Sequence, residues 1–336
     1  MNAQIKTVLP TGIIAGIAAT MLVLGASTQS FLSTILFASS ALPILIAGLG
    51  WGNRAAIIAV VSSAILGAIM VSPTFALMIG VFTLIPAGWL SHLANLARPA
   101  SELGGPDNLM AWYPISDILM HLCGLVTIAL IILGFMIGYG PELTNSIVDA
   151  MSASLNDPNS QFAGDPQALA QMQQSLAQTK SIIVLLMPVV QGAAWVALLF
   201  AAFYFAVRIV SRSGRAMRPR EDMPSALRMN RNAIFIFLAG ILMMFFGGVP
   251  AMIGATICGT FGGGFLMAGF AALHFRSLGK DWRIPALTLC YLSSMMMLPA
   301  FAVLILGLFD TRRTIALTPV RADDGKQTNT DINEQN

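Results

Sequence analysis

Apolar residues run through this chain in long uncharged blocks, and the polar breaks between blocks predict its elements. From Thr7 to Asn53 there is no charged residue, a stretch of about 47, and a membrane-spanning helix needs about 20. The patch Ser27-Thr28-Gln29-Ser30 divides the stretch into span 1 (8–26) and span 2 (31–49). Arg54 marks the next turn. Ser72-Pro73-Thr74 then separates span 3 (55–71) from span 4 (75–96), in which Pro86 predicts a kink. Span 5 covers 116–139, span 6 covers 181–207, and the uncharged run Asn232–Phe275 holds spans 7 (233–248) and 8 (252–274), broken at Gly247-Gly248-Val249-Pro250. Span 9 (284–309) is interrupted by Pro299. The glycines of span 8 (Gly259, Gly262, Gly263, Gly264, Gly269) predict either close helix packing or an unwound segment. Gly12, Ala15, Gly16 and Ala19 give span 1 a small-residue face of the same kind.

The expectation is an all-α integral membrane protein, a polytopic bundle of eight or nine transmembrane helices over residues 1–310, with a polar, disordered tail at 311–336. Composition agrees, since 56% of residues are hydrophobic and 10% charged, too few charges to cover a water-solvated surface. Lys6 ahead of Ile13–Leu24 imitates a signal peptide, but the apolar spans that follow favour an uncleaved first helix. The one sizeable polar segment between spans is 140–180. Within it Asp165-Pro166 reads as an N-cap followed by proline at the first helical position, and the helix it starts is expected to run toward span 6.

Charge sets the expected orientation. Arg208–Arg231 carries seven arginines against Glu221 and Asp222, so this loop is expected in the cytoplasm, which puts the protein in the bacterial inner membrane. Alternation then places Lys6, and with it the N-terminus, together with Arg54, Arg98 and the 274–283 loop on the cytoplasmic side and 140–180 outside. With nine spans, however, Arg312 and Arg313 fall outside. Either the charge bias is overruled at the end of the chain, or span 8 or span 9 re-enters the membrane without crossing it.

No phosphate-binding loop, HExxH or Gly-x-Ser-x-Gly pattern is present, and the cysteines Cys123, Cys258 and Cys290 have no metal-ligand spacing. No enzyme activity, cofactor or metal is expected, and the modest net charge of +3 argues against nucleic acid. Polar groups inside the spans are the default functional candidates. Asp117 and His121 lie four apart on one face near the start of span 5; the bland alternative is an interfacial cap and a packed histidine. Gln191 in span 6 and Tyr291 in span 9 complete a candidate substrate set, set against ordinary interhelical hydrogen bonding. Arg212, Arg215, Arg218 and Arg220 are candidates for lipid or partner contact, set against simple orientation by charge.

The stretch FLMAGFAALHFRSLG, with Gly269, Ala271 and His274, and the closing Leu306-Gly307-Leu308-Phe309-Asp310 followed by Arg312 and Arg313, resembles the YybS-like bacterial membrane proteins. That resemblance implies a distant relation to the substrate-binding subunits of energy-coupling-factor transporters. A chain of that kind captures a small molecule and works with separate ATPase and coupling subunits. The expected function is therefore a transporter or transporter-like small-molecule binding subunit in the lipid bilayer. The alternative is a membrane scaffold that recruits partners through the arginine-rich loop.

Overall fold

The computed structural model describes residues 3–26, 31–137, 141–157, 164–294 and 296–319. The expected class holds: among these residues the chain is a bundle of α-helices with one three-stranded sheet. The polar break at 27–30 lies outside the described residues. Helix α1 (Ala3–Leu24) is followed by α2 (Phe31–Ser39) and α3 (Ala41–Trp51), then by α4 (Asn53–Met70). Span 4 is made of α5 (Pro73–Ile79), a π-helical turn at Gly80–Leu84 and α6 (Ile85–Ala94). Pro86 has no N–H to give the turn before it, and the Phe82 carbonyl oxygen there accepts the Trp195 indole N–H at 3.2 Å.

Strands β1 (Ala97–Pro99) and β2 (Leu109–Trp112) precede α7 (Ile115–Ile137). Helix α8 (Pro141–Leu155) leads to α9 (Pro166–Arg212), which is 47 residues in one piece. The Asp165 carboxylate caps it, accepting from the backbone N–H groups of Gln167 and Ala168, both at 3.0 Å. At 1.5 Å per residue α9 is about 70 Å long against a hydrocarbon layer of about 30 Å, so its first half stands clear of the membrane. The short α10 (Met223–Ala226), α11 (Asn232–Met244) and α12 (Gly248–Arg276) follow. Next come α13 (Arg283–Ser293), α14 (Met297–Phe309) and strand β3 (Leu317–Pro319).

Helix α12 is the hub, packed against α7, α9, α11 and α14. Its glycines are packed, not unwound. A methyl group added at Gly263 would lie 2.8 Å from the Ala193 Cα of α9, and one at Gly254 would lie 2.5 Å from the Gly240 carbonyl oxygen of α11. Lipid supplies no hydrophobic force between helices, so such backbone approach, with its many dispersion contacts, holds them together. Hydroxyl pairs add to it: Thr127 with Thr260 at 2.6 Å, Thr20 with Ser63 at 2.9 Å, and Ser40 with Thr83 at 3.2 Å.

The loops gather at one end. Arg215 stacks over Trp51, and Arg218 donates to the Tyr113 carbonyl oxygen at 2.7 Å, so the 51–54 turn and the 95–114 loop meet the arginine loop. Helix α1 lies parallel to α4, with Gly12 beside Ile58 and Gly16 beside Ser62, so its first residues share that end. Arg228 pairs with Asp310 and faces the Phe275 ring, which brings the ends of α12 and α14 there too.

Among the described residues seven helical segments are long and apolar enough to span a membrane, and α11, at 13 residues, is a shorter apolar helix. Span 9 is not one straight helix. Helices α13 and α14 meet at a bend of 117°, and both the start of α13 and the end of α14 lie at the arginine end. The bend turns the chain back, and Arg312 and Arg313 lie at the same end as the arginine loop. The tail also departs from expectation: residues 317–319 form β3, which hydrogen-bonds along the open edge of β2, while 320–336 lie outside the described residues.

The packing of α12 sets an expected outcome. Gly263→Leu must push α9 away, and overpacking of this kind costs about 1–3 kcal/mol. A lowered unfolding midpoint in detergent is expected, with Gly164→Ala, at an exposed turn with open space around it, as a control for glycine loss away from the core.

Candidate functional site

The ionisable groups that come together do so at the arginine end, around the start of α7. Asp117 is 3% exposed, and its carboxylate accepts from Arg313 Nη2 at 2.7 Å and from the Asn230 amide. Ser116 adds a longer contact at 3.5 Å. A carboxylate so far from water needs such donors, because burial penalises an unpaired charge by several kcal/mol. His121 does not bond that carboxylate. Its Nδ1 sits 2.9 Å from the Asp117 backbone oxygen, which can only accept, so the proton is on Nδ1. Trp89 and Tyr113 flank the imidazole at ring distances of 6.3 and 6.1 Å. The Tyr113 hydroxyl is pushed above its usual range by burial first and by the Asp117 charge second, with Arg313 opposing both.

A second ionic centre lies beside this one. Arg228 is fully buried; its Nε donates to Asp310 at 2.9 Å, and its Nη1 donates to the carbonyl oxygens of Pro224 and Leu227 at 2.9 and 2.7 Å. Burial lowers the pKa of this guanidinium and the Asp310 charge opposes the change. Arg218, also buried, clasps Glu221 and the carbonyl of Tyr113. These three arginines tie the arginine loop and the C-terminal segment to the 95–117 region.

The other candidates are placed elsewhere. Gln191 is exposed on α9, turned away from α12, because Gly192 occupies the face that meets Thr260. Tyr291 lies on α13, 46% exposed, stacked on Phe270 at 4.6 Å and bonded through its hydroxyl to His274 at 2.8 Å. Neither approaches Asp117. Of the four loop arginines, Arg218 is internal and Arg215 covers Trp51, whereas Arg212 and Arg220 are exposed. Arg220 lines a cavity of about 310 Å³ with Tyr204, Arg208, Glu221 and Asp222. A more apolar cavity of about 350 Å³ lies between the tail and the 96–114 loop, lined by Leu96, Trp112, Tyr113, Pro114, Arg313 and Ile315.

Nothing local in the chain marks Asn230, Arg228, Asp310 and Arg313 as partners. Its weak signal was Asp310, a single acid closing the last apolar run just before two arginines.

Removing Arg228 leaves Asp310 facing a buried, low-dielectric wall. Arg228→Met is expected to destabilise the protein by about 3 kcal/mol in equilibrium unfolding. Arg212→Ala, at an exposed position, is expected to stay within about 0.5 kcal/mol.

Comparison with known proteins adds the family. Residues 16–311 match the family described as "Predicted membrane protein (DUF2232)", a match that reaches from α1 to the end of α14. It supports a membrane protein family and does not carry the YybS-like name or the relation to energy-coupling-factor subunits. No curated protein matches the chain, and no solved structure does. The chain belongs to the DUF2232 family of membrane proteins.

Proposed function

We propose that this is a membrane-embedded docking protein of the bacterial inner membrane whose working face is the arginine-rich end, held on the cytoplasmic side by its positive charge. The observation that carries the reading is the gathering of exposed cations at one end. Arg54, Arg98, Arg212, Arg220, Arg231, Arg276 and Lys280 are all exposed on loops or helix ends there. Exposed acids at that end are fewer: Glu102, Asp107, Asp222 and Asp281. The bundle behind this face is packed around α12, and buried hydroxyls pair across its helices, Thr127 with Thr260 and Thr20 with Ser63. Gln191, on which small-molecule capture would draw, is exposed on α9 and turned away from α12. Such a face fits an acidic protein surface, with anionic headgroups as its lipid surroundings. No catalytic step forms part of this reading.

The second reading, a transporter-like small-molecule binding subunit, is favoured by one feature. A hairpin that enters the membrane and returns, with Ser293 and Ser294 near its bend, is the kind of broken helix from which transporters build solute sites. The relation to energy-coupling-factor subunits belongs to this reading, as do separate ATPase and coupling partners.

Affinity purification from membranes, followed by mass spectrometry, separates the two. Under the docking reading a protein partner is recovered with the wild-type chain, and its yield falls about tenfold in the Arg212→Glu, Arg220→Glu double variant and in high salt. Recovery of an ATPase pair or a bound metabolite, unaffected by the charge reversal, would replace it with the transporter reading.

A further inference from the structure

The end of the chain lies in a groove that the bundle builds without it. The groove has three parts. One is the open edge of β2, the central strand of the sheet, where Ala111 faces Leu317 and Met110 faces Thr318. The second is the Trp112 indole, which donates to the Thr318 hydroxyl at 2.8 Å. The third is the Asp117 carboxylate, almost fully buried, pre-oriented by Asn230 and met by Arg313 at 2.7 Å.

The two sides of this contact are unequal. Asp117 and Trp112 belong to the sheet and to α7, on the bundle side. The occupant lies loosely: Arg313 is 53% exposed, and the large side chains Ile315 and Leu317 remain 38% and 50% exposed. A half-open cavity of about 350 Å³, which Arg313 and Ile315 line together with Leu96, Trp112 and Tyr113, is left unfilled by this segment. Backbone pairing along a strand edge, with pockets reading individual side chains, is how proteins bind extended peptides.

We propose that Arg313–Pro319 is a built-in occupant of a peptide groove, and that the groove takes in its place an extended segment of a partner with a basic side chain four residues ahead of the residue that pairs with Ala111. The basic group follows from Asp117: once Arg313 leaves, the buried carboxylate keeps only neutral donors, and an incoming segment has to restore the cation. The backbone edge sets no sequence. The Trp112 indole asks for a hydroxyl or carbonyl acceptor, and the unfilled cavity has room for a side chain larger than Ile315. The C-terminal segment then acts as a competitor tethered at high effective concentration, and binding requires its release. The inference rests on the docking reading and names the chemistry of what docks.

The test uses the full chain in nanodiscs and a fluorescent peptide with the sequence of residues 311–320, followed by polarisation. Arg313→Ala loosens the tether, so the peptide is expected to bind about tenfold more tightly to this variant than to wild type. Adding Asp117→Asn is expected to abolish that gain. Ala111→Cys with Leu317→Cys places two thiols at directly opposed strand positions, within disulfide reach. Oxidation is expected to abolish peptide binding and reduction to restore it. If Arg313→Ala does not purify as a folded protein, this oxidised–reduced comparison decides alone. Equal binding to wild type and Arg313→Ala, or to the oxidised and reduced forms, overturns the proposal. So does a disulfide that forms between two chains, which would make the segment an element swapped between copies. If the peptide fails while partner recovery still responds to charge reversal at Arg212 and Arg220, the groove falls and the docking reading stands.

Discussion

A fully buried arginine at the rim of a lipid-solvated bundle has to find its acceptors inside the protein, and the arrangement of this chain follows from how Arg228 does so. Its acceptors are two carbonyls of its own loop and the carboxylate of Asp310, 82 residues on. That pair draws the end of α14 to the arginine loop. Once Asp310 is there, the next residues can reach Asp117 and the edge of β2, and they do. Both the hairpin geometry of α13 and α14 and the strand that closes the sheet depend on this placement. The α12 glycines do the complementary work in the apolar region, where backbone approach and paired hydroxyls stand in for the hydrophobic effect.

The result is a molecule with unlike ends. At one end arginines are both buried and exposed. The buried ones, Arg218 and Arg228, join segments; the exposed ones, such as Arg212 and Arg220, leave a cationic surface. At the other end, α8 and the first half of α9 project as a helical pair, with a largely apolar cavity of about 570 Å³ between them lined by Met151, Leu155, Met172 and Leu176. The arginine loop, which in sequence resembles a single anion-binding patch, thus divides into residues that build the fold and residues that face outward.

Much of this was legible in the sequence. Uncharged runs locate spans well because a charge at mid-membrane is so costly that its absence marks the span. The observed helices accordingly lie close to the expected ones, from α1 to α14. The Asp165 cap was also legible, being local chemistry with a fixed offset. The partners of Asp117 were not, because Asn230 and Arg313 lie 113 and 196 positions away and no local periodicity connects them. Gln191 illustrates a different limit. Its polarity marks it as a candidate, but its direction is set by the helix phase, and Gly192 claims the inner face. The disagreement over Arg312 and Arg313 pointed to the stretch in which α13 and α14 meet at a bend of 117°.

Both the Arg228–Asp310 and the Arg313–Asp117 pairs require the C-terminal segment to share a side with the arginine loop. Topology reporters measure this directly: alkaline phosphatase and green fluorescent protein fused at Gly214 and, separately, after Pro319. The expected result is fluorescence without phosphatase activity at both positions. Phosphatase activity after Pro319 with fluorescence at Gly214 would mean that the last helices cross the membrane, and would contradict the Arg228–Asp310 and Arg313–Asp117 pairs together.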